Sequence, residues 1–376
     1  MSAPLTGRER LLRTLRCQPV DRMPVSPFLY YNSVYEMFGY TPDMDSFFDP
    51  DDFDPIEKMV EYCDRFGFDV LHVLGSVWDN WDVTIADERK GDAKHRTVTI
   101  RTPDGELRHS EAYERSSPYL VISAYREYPI KSPADFEIIR KHAPPADEMD
   151  CSLIRRARKA VGDKGLVTSI IHGAYNTLNQ FRSLSEVLMD PILDHGFYTE
   201  MIEHFLQQLI KRVKKMVANG ADVIEVAANL ATSAVGPDYF QKYVRDAENR
   251  LLRAIHDAGA LAIYHNCGDA ALIMHLYNGM EMDCWGYLTP RPYGDVDLEE
   301  ALRVIRPDMA LRGNVDQVEF LRKATPAQVR ERVREVVLKA KKRGNFILSS
   351  TDFFFDGTPY ENIEAFAKAG REYGEY

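Results

Sequence analysis

Short apolar runs alternate with longer amphipathic segments through most of the second half of the chain. We predict that the apolar runs are buried strands and that the segments with helical spacing of apolar residues are helices. The strands predicted in this part cover residues 166–172, 222–228, 261–265, 284–288, 310–315 and 346–350. Two earlier runs, at 23–31 and 69–74, bring the predicted strands to eight. Repeated strand–helix units favour an α/β fold, and eight strands favour a (β/α)8 TIM barrel over an open sheet.

Residues 83–128 do not follow this strand–helix pattern, because single apolar and polar residues alternate there around the turn Pro103-Asp-Gly105. Such alternation predicts strands joined by hairpins. We therefore expect an antiparallel β insertion in the N-terminal part of the barrel, within a single domain over residues 1–376.

Composition limits the partners and the compartment. The chain has 47 basic and 58 acidic residues, a net charge of −11, which disfavours nucleic acid and anionic membranes. No apolar stretch approaches the ~20 residues of a membrane span. The five cysteines are scattered and do not indicate a disulfide framework, so we expect a cytoplasmic protein. The sequence leaves the oligomeric state open.

The strand predicted at 261–265 ends in a pair of possible metal ligands, His265 and Cys267. Residues two apart on an extended backbone point to the same face. A His and a Cys supply two of the donors that zinc needs, although buried packing is an alternative reading of the pair. A helix is predicted directly afterwards, at 270–277.

Other strand ends also carry polar and titratable side chains. We predict catalytic roles for Glu225, His172, Asn314 and Asp316, and metal binding for Glu225 and Asp352 beside the His–Cys pair. A carboxylate within an apolar strand, such as Glu225, needs a metal or another partner. The alternatives are a salt bridge for Glu225, a capping role for Asp352, core packing for His172 and a loop brace for Asn314 and Asp316.

Aromatic residues near the same strand ends predict a substrate-binding wall, since ligand pockets favour aromatic linings. These residues are Tyr30, Tyr31, Trp78, Trp81 and Tyr287. Core packing is the alternative for the tryptophan pair.

Four ordered motifs resemble the uroporphyrinogen decarboxylase superfamily over nearly the whole chain. They are Arg8-Glu-Arg with Val20-Asp-Arg-Met-Pro24, His265-Asn-Cys-Gly268, Leu311-Arg-Gly-Asn-Val-Asp316, and Phe346-Ile-Leu-Ser with Thr358-Pro-Tyr-Glu-Asn362. The resemblance implies a (β/α)8 barrel, in agreement with the strand count.

Within this superfamily the chain resembles the zinc-dependent, corrinoid-linked methyltransferases more than authentic decarboxylases. The decarboxylases carry an Arg-Gln-Ala-Gly-Arg segment after the first strand, where this chain has Phe28-Leu-Tyr-Tyr-Asn-Ser33. The methyltransferases use a His-x-Cys pair and a distant Cys, and Asp352 occupies the position of that Cys.

The resemblance implies zinc-assisted transfer of a methyl group. The missing second Cys and the aromatic residues favour a small O- or N-methylated donor, such as an aromatic methyl ether, over coenzyme M. The acceptor would be a corrinoid (cobalamin) cofactor or a corrinoid protein. The alternatives are decarboxylation of a tetrapyrrole, as by uroporphyrinogen decarboxylase, and a non-catalytic barrel that binds a corrinoid or another partner.

Overall fold

The computed structural model describes residues 4–47, 50–74, 81–91, 93–146 and 148–376. Its strands are β1 (Val70–Leu74), β2 (Val83–Lys90), β3 (Ala93–Thr102), β4 (Gly105–Ser117), β5 (Leu120–Glu127), β6 (Gly165–His172), β7 (Val223–Ala227), β8 (Leu261–His265), β9 (Cys284–Leu288), β10 (Ala310–Val315) and β11 (Phe346–Ser350). Its α-helices are α1 (Gly7–Leu15), α2 (Tyr31–Phe38), α3 (Pro55–Phe66), α4 (Pro133–His142), α5 (Ser152–Val161), α6 (Ala174–Phe181), α7 (Leu184–Leu193), α8 (His195–Ala218), α9 (Pro237–Tyr239), α10 (Arg245–Asp257), α11 (Leu298–Val304), α12 (Pro326–Ala340) and α13 (Tyr360–Gly374). None of the described helices is long and apolar enough to cross a membrane.

The main sheet is parallel and curled, with the order β1-β6-β7-β8-β9-β10-β11. Helices connect its successive strands from β6 onwards, as the alternation of apolar and amphipathic segments predicted. The predicted α/β architecture is therefore confirmed for these seven parallel strands.

The remaining predicted strand, at 23–31, is mostly irregular. Val25 alone bridges β11, at Leu348, and the Asp69 backbone N–H donates to the Val25 carbonyl at 2.9 Å on the other side. Pro24 and Pro27 have no backbone N–H to give to a ladder, which limits pairing to this short stretch. Helix α2 then begins at Tyr31, inside the predicted strand.

The predicted antiparallel insertion is confirmed as a four-stranded sheet in the order β2-β3-β4-β5. The turn at Gly105 joins β3 to β4, and the glycine has φ +149°, which a residue with a side chain rarely adopts. Val98, Ile100 and Leu107 are buried on the face that packs against the main domain.

The amino-terminal end of the parallel sheet is closed by apolar side chains. Leu11 and Leu15 of α1 pack against the first inward-pointing residues of the strands, including Leu166, Val223 and Ile347. Thr6 and Glu9 form a capping box at the start of α1. Because this end is sealed, the polar side chains of the interior gather at the opposite, carboxyl end.

The prediction of an α-helix at 270–277 is wrong. Residues 270–273 form turns, followed by a 3₁₀ helix over Met274–Gly279. The Asp295 carboxylate accepts the backbone N–H groups of Ala270 and Ala271, so it caps the turn. A segment this short gains too few internal hydrogen bonds to form a stable α-helix unaided.

Candidate functional site at the carboxyl ends of the strands

Strand register brings the predicted residues of β6, β7 and β8 to one face. Ile170 pairs with Glu225, and Glu225 pairs with Ile263. Two residues further along each strand, His172 pairs with Ala227, and Ala227 pairs with His265. Paired residues of parallel strands point the same way, so Glu225, His172 and His265 share the inner face.

His265 and Glu225 form the closest contact of this face. The imidazole Nδ1 lies 2.6 Å from Glu225 Oε1, and both side chains are buried. Burial by itself lowers the pKa of His265, but hydrogen bonding with Cys267 and Glu225 outweighs it and raises the pKa to about 10. Glu225 therefore fixes the orientation of the ring and stabilises a proton on Nδ1.

Arg312, on β10, is a site residue that the sequence analysis missed. Its Nη1 lies 3.5 Å from Glu225 Oε2, and its Nη2 donates to the Ser26 carbonyl at 3.2 Å. The salt bridge considered as an alternative for Glu225 is thus present, and it crosses the interior. The signal was an arginine at an inward-pointing position of an otherwise apolar strand, Leu311-Arg-Gly-Asn-Val.

Tyr287 completes what we call the interior cluster, which consists of Glu225, His265, Tyr287 and Arg312. The Tyr287 hydroxyl donates to Glu225 at 3.4 to 3.5 Å, and its ring centroid lies 4.6 Å from that of His265. The Arg312 guanidinium lies over the same ring at 4.4 Å. Tyr287 is fully buried, and outside the cluster its ring contacts Phe28.

Cys267 and Asp352 lie together beside His265. Cys267 Sγ is 4.0 Å from Asp352 Oδ2 and 3.7 Å from Asn229 Oδ1, and Cys267 is half-buried. Burial raises the pKa of Asp352, while the neighbouring His265 lowers it. Within the described ranges, no group of three or more His, Cys, Asp or Glu side chains converges as a metal site. The donors are nevertheless of the types that zinc accepts.

A ring shell of Phe28, Tyr30 and Phe353 lies over the cluster. The Phe28 ring is 5.5 Å from His265 and 5.2 Å from Tyr287, and Phe353 lies 5.4 Å from Tyr30. Phe28 and Phe353 were not among the predicted residues. Tyr31, predicted beside Tyr30, is buried at the start of α2, where its ring lies 6.1 Å from that of Tyr35.

His172 and Trp81 border a separate cavity of about 220 Å³, which we call the β6 cavity. Its lining includes Ile170 but not His265, Cys267 or Asp352. Ile170 also packs against Phe28 and Tyr287, so one side chain separates the β6 cavity from the interior cluster. Trp78, predicted to lie with Trp81, is outside the described residues.

Asn314 and Asp316 have different surroundings. Asn314 is buried, and its Oδ1 has no hydrogen-bond partner among the described residues. The Asp316 carboxylate accepts the backbone N–H groups of Glu319 at 2.7 Å and Phe320 at 2.8 Å. The structure thus gives Asp316 a role in capping the turn that follows β10.

Ionisable side chains at the carboxyl ends of a curled parallel sheet are the arrangement of the barrel-type α/β enzymes. Within that class, the chain belongs to the uroporphyrinogen decarboxylase family. The family model described as Uroporphyrinogen decarboxylase (URO-D) matches residues 120–373. The superfamily resemblance found in the motifs is thereby confirmed.

Sequence relatives in this family have two kinds of name. The chain is 24% identical to the methylcobamide:CoM methyltransferase MtbA of Methanosarcina mazei, over 98% of both chains. It is 27% identical to a methylated-thiol–coenzyme M methyltransferase of the same organism, over 49% of this chain and 46% of that relative's length. It is 26% identical to a uroporphyrinogen decarboxylase of a Synechococcus species, over 65% of this chain and 69% of the relative.

Solved structures share the fold. A methyltransferase from Methanosarcina mazei superposes with a TM-score of 0.70 at 15% identity, covering 98% of this chain and 99% of the other. A B12-independent methionine synthase from a Shewanella species gives a TM-score of 0.51 at 12% identity, covering 93% and 97%. At these identities the superpositions support the architecture alone.

Proposed function

We propose that this chain is a methyltransferase that moves a methyl group from a small O- or N-methylated donor to a corrinoid carried by a partner protein. One observation carries the proposal: the Glu225–His265 contact of 2.6 Å lies beside Cys267 and Asp352, in a chain that aligns over 98% of its length with a methylcobamide:CoM methyltransferase. In the transfer, the methyl carbon leaves the donor heteroatom, which keeps the bonding electron pair and takes up a proton. The acceptor, a cobalt(I) corrinoid, supplies the electron pair of the new cobalt–carbon bond and becomes cobalt(III).

Glu225 orients the imidazole of His265 for metal binding. One ring proton lies on Nδ1 and is directed to the carboxylate, and a bound metal would displace the second proton from Nε2 and take its lone pair. Metal-binding histidines commonly give their other ring N–H to a carboxylate in this way. Arg312 in turn offsets the charge of Glu225, which is buried out of contact with water.

His265, Cys267 and Asp352 are the residues that would hold a zinc ion. Nitrogen, sulfur and oxygen donors of these types bind zinc in proteins. Glu225 would hold the His265 ring in place by accepting the hydrogen on Nδ1. Cys267 Sγ and Asp352 Oδ2 are 4.0 Å apart in the structure, so these side chains would have to move slightly to hold one ion together. When bound, zinc would polarise the donor heteroatom as a Lewis acid.

Elemental analysis tests this part of the proposal. Wild-type protein is expected to hold about one zinc per chain, and His265→Ala to lose most of it. Glu225→Gln is expected to weaken retention without abolishing it. A wild type without bound metal after purification in zinc-containing buffer would contradict the zinc site.

The surroundings of the cluster favour a neutral donor. Phe28, Tyr30 and Phe353 offer ring faces and edges, while the Arg312 guanidinium already contacts Glu225, Ser26 and Tyr287. An anionic donor such as a sulfonate needs a cation free to bind it. An aromatic methyl ether meets these conditions better than coenzyme M does.

The segment around Val25 bears on how the site is shielded. Its backbone contacts β11 on one side and the residue before β1 on the other. We infer that it completes a closed (β/α)8 barrel in place of an eighth strand. Closure would screen the cluster from water on the side that the seven-stranded sheet leaves open.

Decarboxylation of a tetrapyrrole is the second candidate, because several relatives are named uroporphyrinogen decarboxylase. Such a substrate carries eight carboxylates, and each one that is buried without a cation costs several kcal/mol. The 28–33 segment has no arginine, and the single charge of Arg312 is offset by Glu225. We expect no decarboxylation.

A donor panel separates these functions. Methoxybenzenes, methylamines and methylthiols are each incubated with the protein and cob(I)alamin, and uroporphyrinogen is tested in parallel for released carbon dioxide. Methylcobalamin formed from one donor class supports the proposal. Turnover of uroporphyrinogen would overturn it, and corrinoid binding without any turnover would favour the non-catalytic barrel.

A further inference from the structure

The β6 cavity is large enough for one aromatic ring. It wraps around the carboxyl end of β6 and is bounded by α4, α6, α8 and the antiparallel sheet. Its volume is about 220 Å³. Engineered apolar cavities of about 150 Å³ bind benzene, so this one has room for a ring with one or two small substituents.

The wall of the cavity is chiefly aromatic and apolar. Trp81 and Tyr125 come from the side of the insertion, and Phe181 and Phe205 from the helices. The last two rings are stacked with centroids 4.3 Å apart. Such a wall gives a flat ligand ring both stacking and edge contacts.

Two polar atoms of the lining residues have no partner. His172 Nδ1 and His204 Nε2 are buried, and no described residue hydrogen-bonds to either. Burial lowers the pKa of both imidazoles, which keeps them neutral near pH 7. Arg212 also borders the cavity, but it already has an interaction partner. The wall is therefore suited to a neutral ligand with a hydrogen-bonding group.

The cavity lies close to the interior cluster. His172 and His265 are in register on the inner face with β7 between them, a separation of two strand spacings, or about 10 Å between backbones. Ile170 forms part of the wall and also touches the Phe28–Tyr287 pair. A substituted ring in the cavity could extend its substituent past Ile170 toward His265.

We propose that the β6 cavity binds the ring of the methyl donor, and that the donor is a neutral, single-ring aromatic methyl ether whose second oxygen substituent bonds to His172 and His204. This inference rests on the proposed function and assigns its substrate class. It also gives the antiparallel insertion a role, as one wall of the donor site.

Calorimetric titration with 2-methoxyphenol, in the absence of corrinoid, tests the site independently of methyl transfer. Ala143→Leu places a larger side chain in the wall and is expected to weaken binding about tenfold or more. Ala258→Leu is the matched control, because Ala258 is also a half-buried helix C-cap but does not line the cavity. Equal affinity in the two variants would overturn the proposal.

His204→Phe keeps a ring of similar size and removes the nitrogen. We expect it to weaken binding of 2-methoxyphenol while leaving that of methoxybenzene, which lacks the hydroxyl, unchanged. A purely structural effect would weaken both ligands equally, and that result would contradict the assigned hydrogen bond.

The two proposals fail in different ways. If methylcobalamin forms from another donor while neither methoxy compound binds, the inference is wrong and the methyltransferase stands. If 2-methoxyphenol binds as expected but no donor of the panel yields methylcobalamin, the binding site stands and the proposed function is wrong.

Discussion

The interior cluster and the β6 cavity, separated by the side chain of Ile170, differ in the charge of their buried polar groups. In the cluster, Glu225 is matched by a cation and by two hydrogen-bonding rings. In the cavity, the imidazoles of His172 and His204 are neutral and have unpaired nitrogens. A charged network holds geometry, whereas neutral imidazoles beside a void suit a neutral ligand. The difference suggests that one region performs the chemistry and the other selects the substrate.

Arg312→Met should have the largest effect, because it leaves the Glu225 carboxylate buried without its cation. We expect the free energy of unfolding to fall by about 3–5 kcal/mol in urea titrations. Adding Glu225→Gln to this variant should restore part of the loss. The exposed pair Arg330–Glu372 is the control, and Arg330→Met should change stability little. Equal effects of Arg312→Met and Arg330→Met would show that the cluster is not a buried charge network.

Glu248 sharpens the comparison, since it is a buried carboxylate that accepts a backbone N–H from Tyr175 on α6 and forms no ion pair with the described residues. Burial raises its pKa to about 7, from an ordinary value of 4.5. The folded state therefore holds the proton more tightly than the unfolded state does. The stability of the wild type should fall as pH rises from 4.5 to 7, by about 3 kcal/mol from this group.

Glu248→Gln should remove that fall. Its free energy of unfolding relative to wild type should rise by about 3 kcal/mol between pH 4.5 and pH 8, as measured by urea titration at each pH. A difference that stays constant with pH would mean that Glu248 is ionised in the folded protein like an exposed glutamate.

Glu225→Gln should affect both catalysis and folding, because it also leaves the Arg312 guanidinium buried without its carboxylate. The glutamine keeps an acceptor near His265 but loses the charge that orients the imidazole proton. We expect the rate of methyl transfer to fall by about 10- to 100-fold, the usual effect of removing a partner of a metal-binding histidine. Glu248→Gln, which replaces a buried carboxylate outside the interior cluster, is the control for the rate measurement at pH 7. A wild-type rate in Glu225→Gln would limit Glu225 to a packing role.

Asp316→Asn should have the smallest effect. Asparagine caps helical turns about as well as aspartate, so we expect a change in stability below about 0.5 kcal/mol and a rate close to wild type. A large loss of rate would instead give Asp316 the catalytic role that its strand-end position first suggested.

Local patterns predicted much of the fold, because each depends on neighbouring residues. The alternating residues 83–128 and the apolar strand at 261–265 both have their predicted structures. The structure of residues 23–31 was harder to predict, because their pairing is decided by contacts with β11 and with the residue before β1 rather than by their own apolar content.

The site was predictable only in part for the same reason. Strand-end position correctly brought His265 close to Glu225, Cys267 and Asp352. It did not indicate that Arg312 would reach Glu225 across the interior, nor that Phe28 would cover His265. These contacts depend on how the sheet curls, and no local pattern in the sequence encodes that curvature directly.

Single-turnover conversion of cob(I)alamin to methylcobalamin, followed by absorbance, tests the central claim most directly. With 2-methoxyphenol as donor, wild type and Cys17→Ser should convert the corrinoid, because Cys17 lies away from the site beside Asn345. Cys267→Ser and His265→Ala should not convert it measurably. Conversion by Cys267→Ser at the wild-type rate would contradict the account, because it would remove the thiol beside Asp352 from the chemistry.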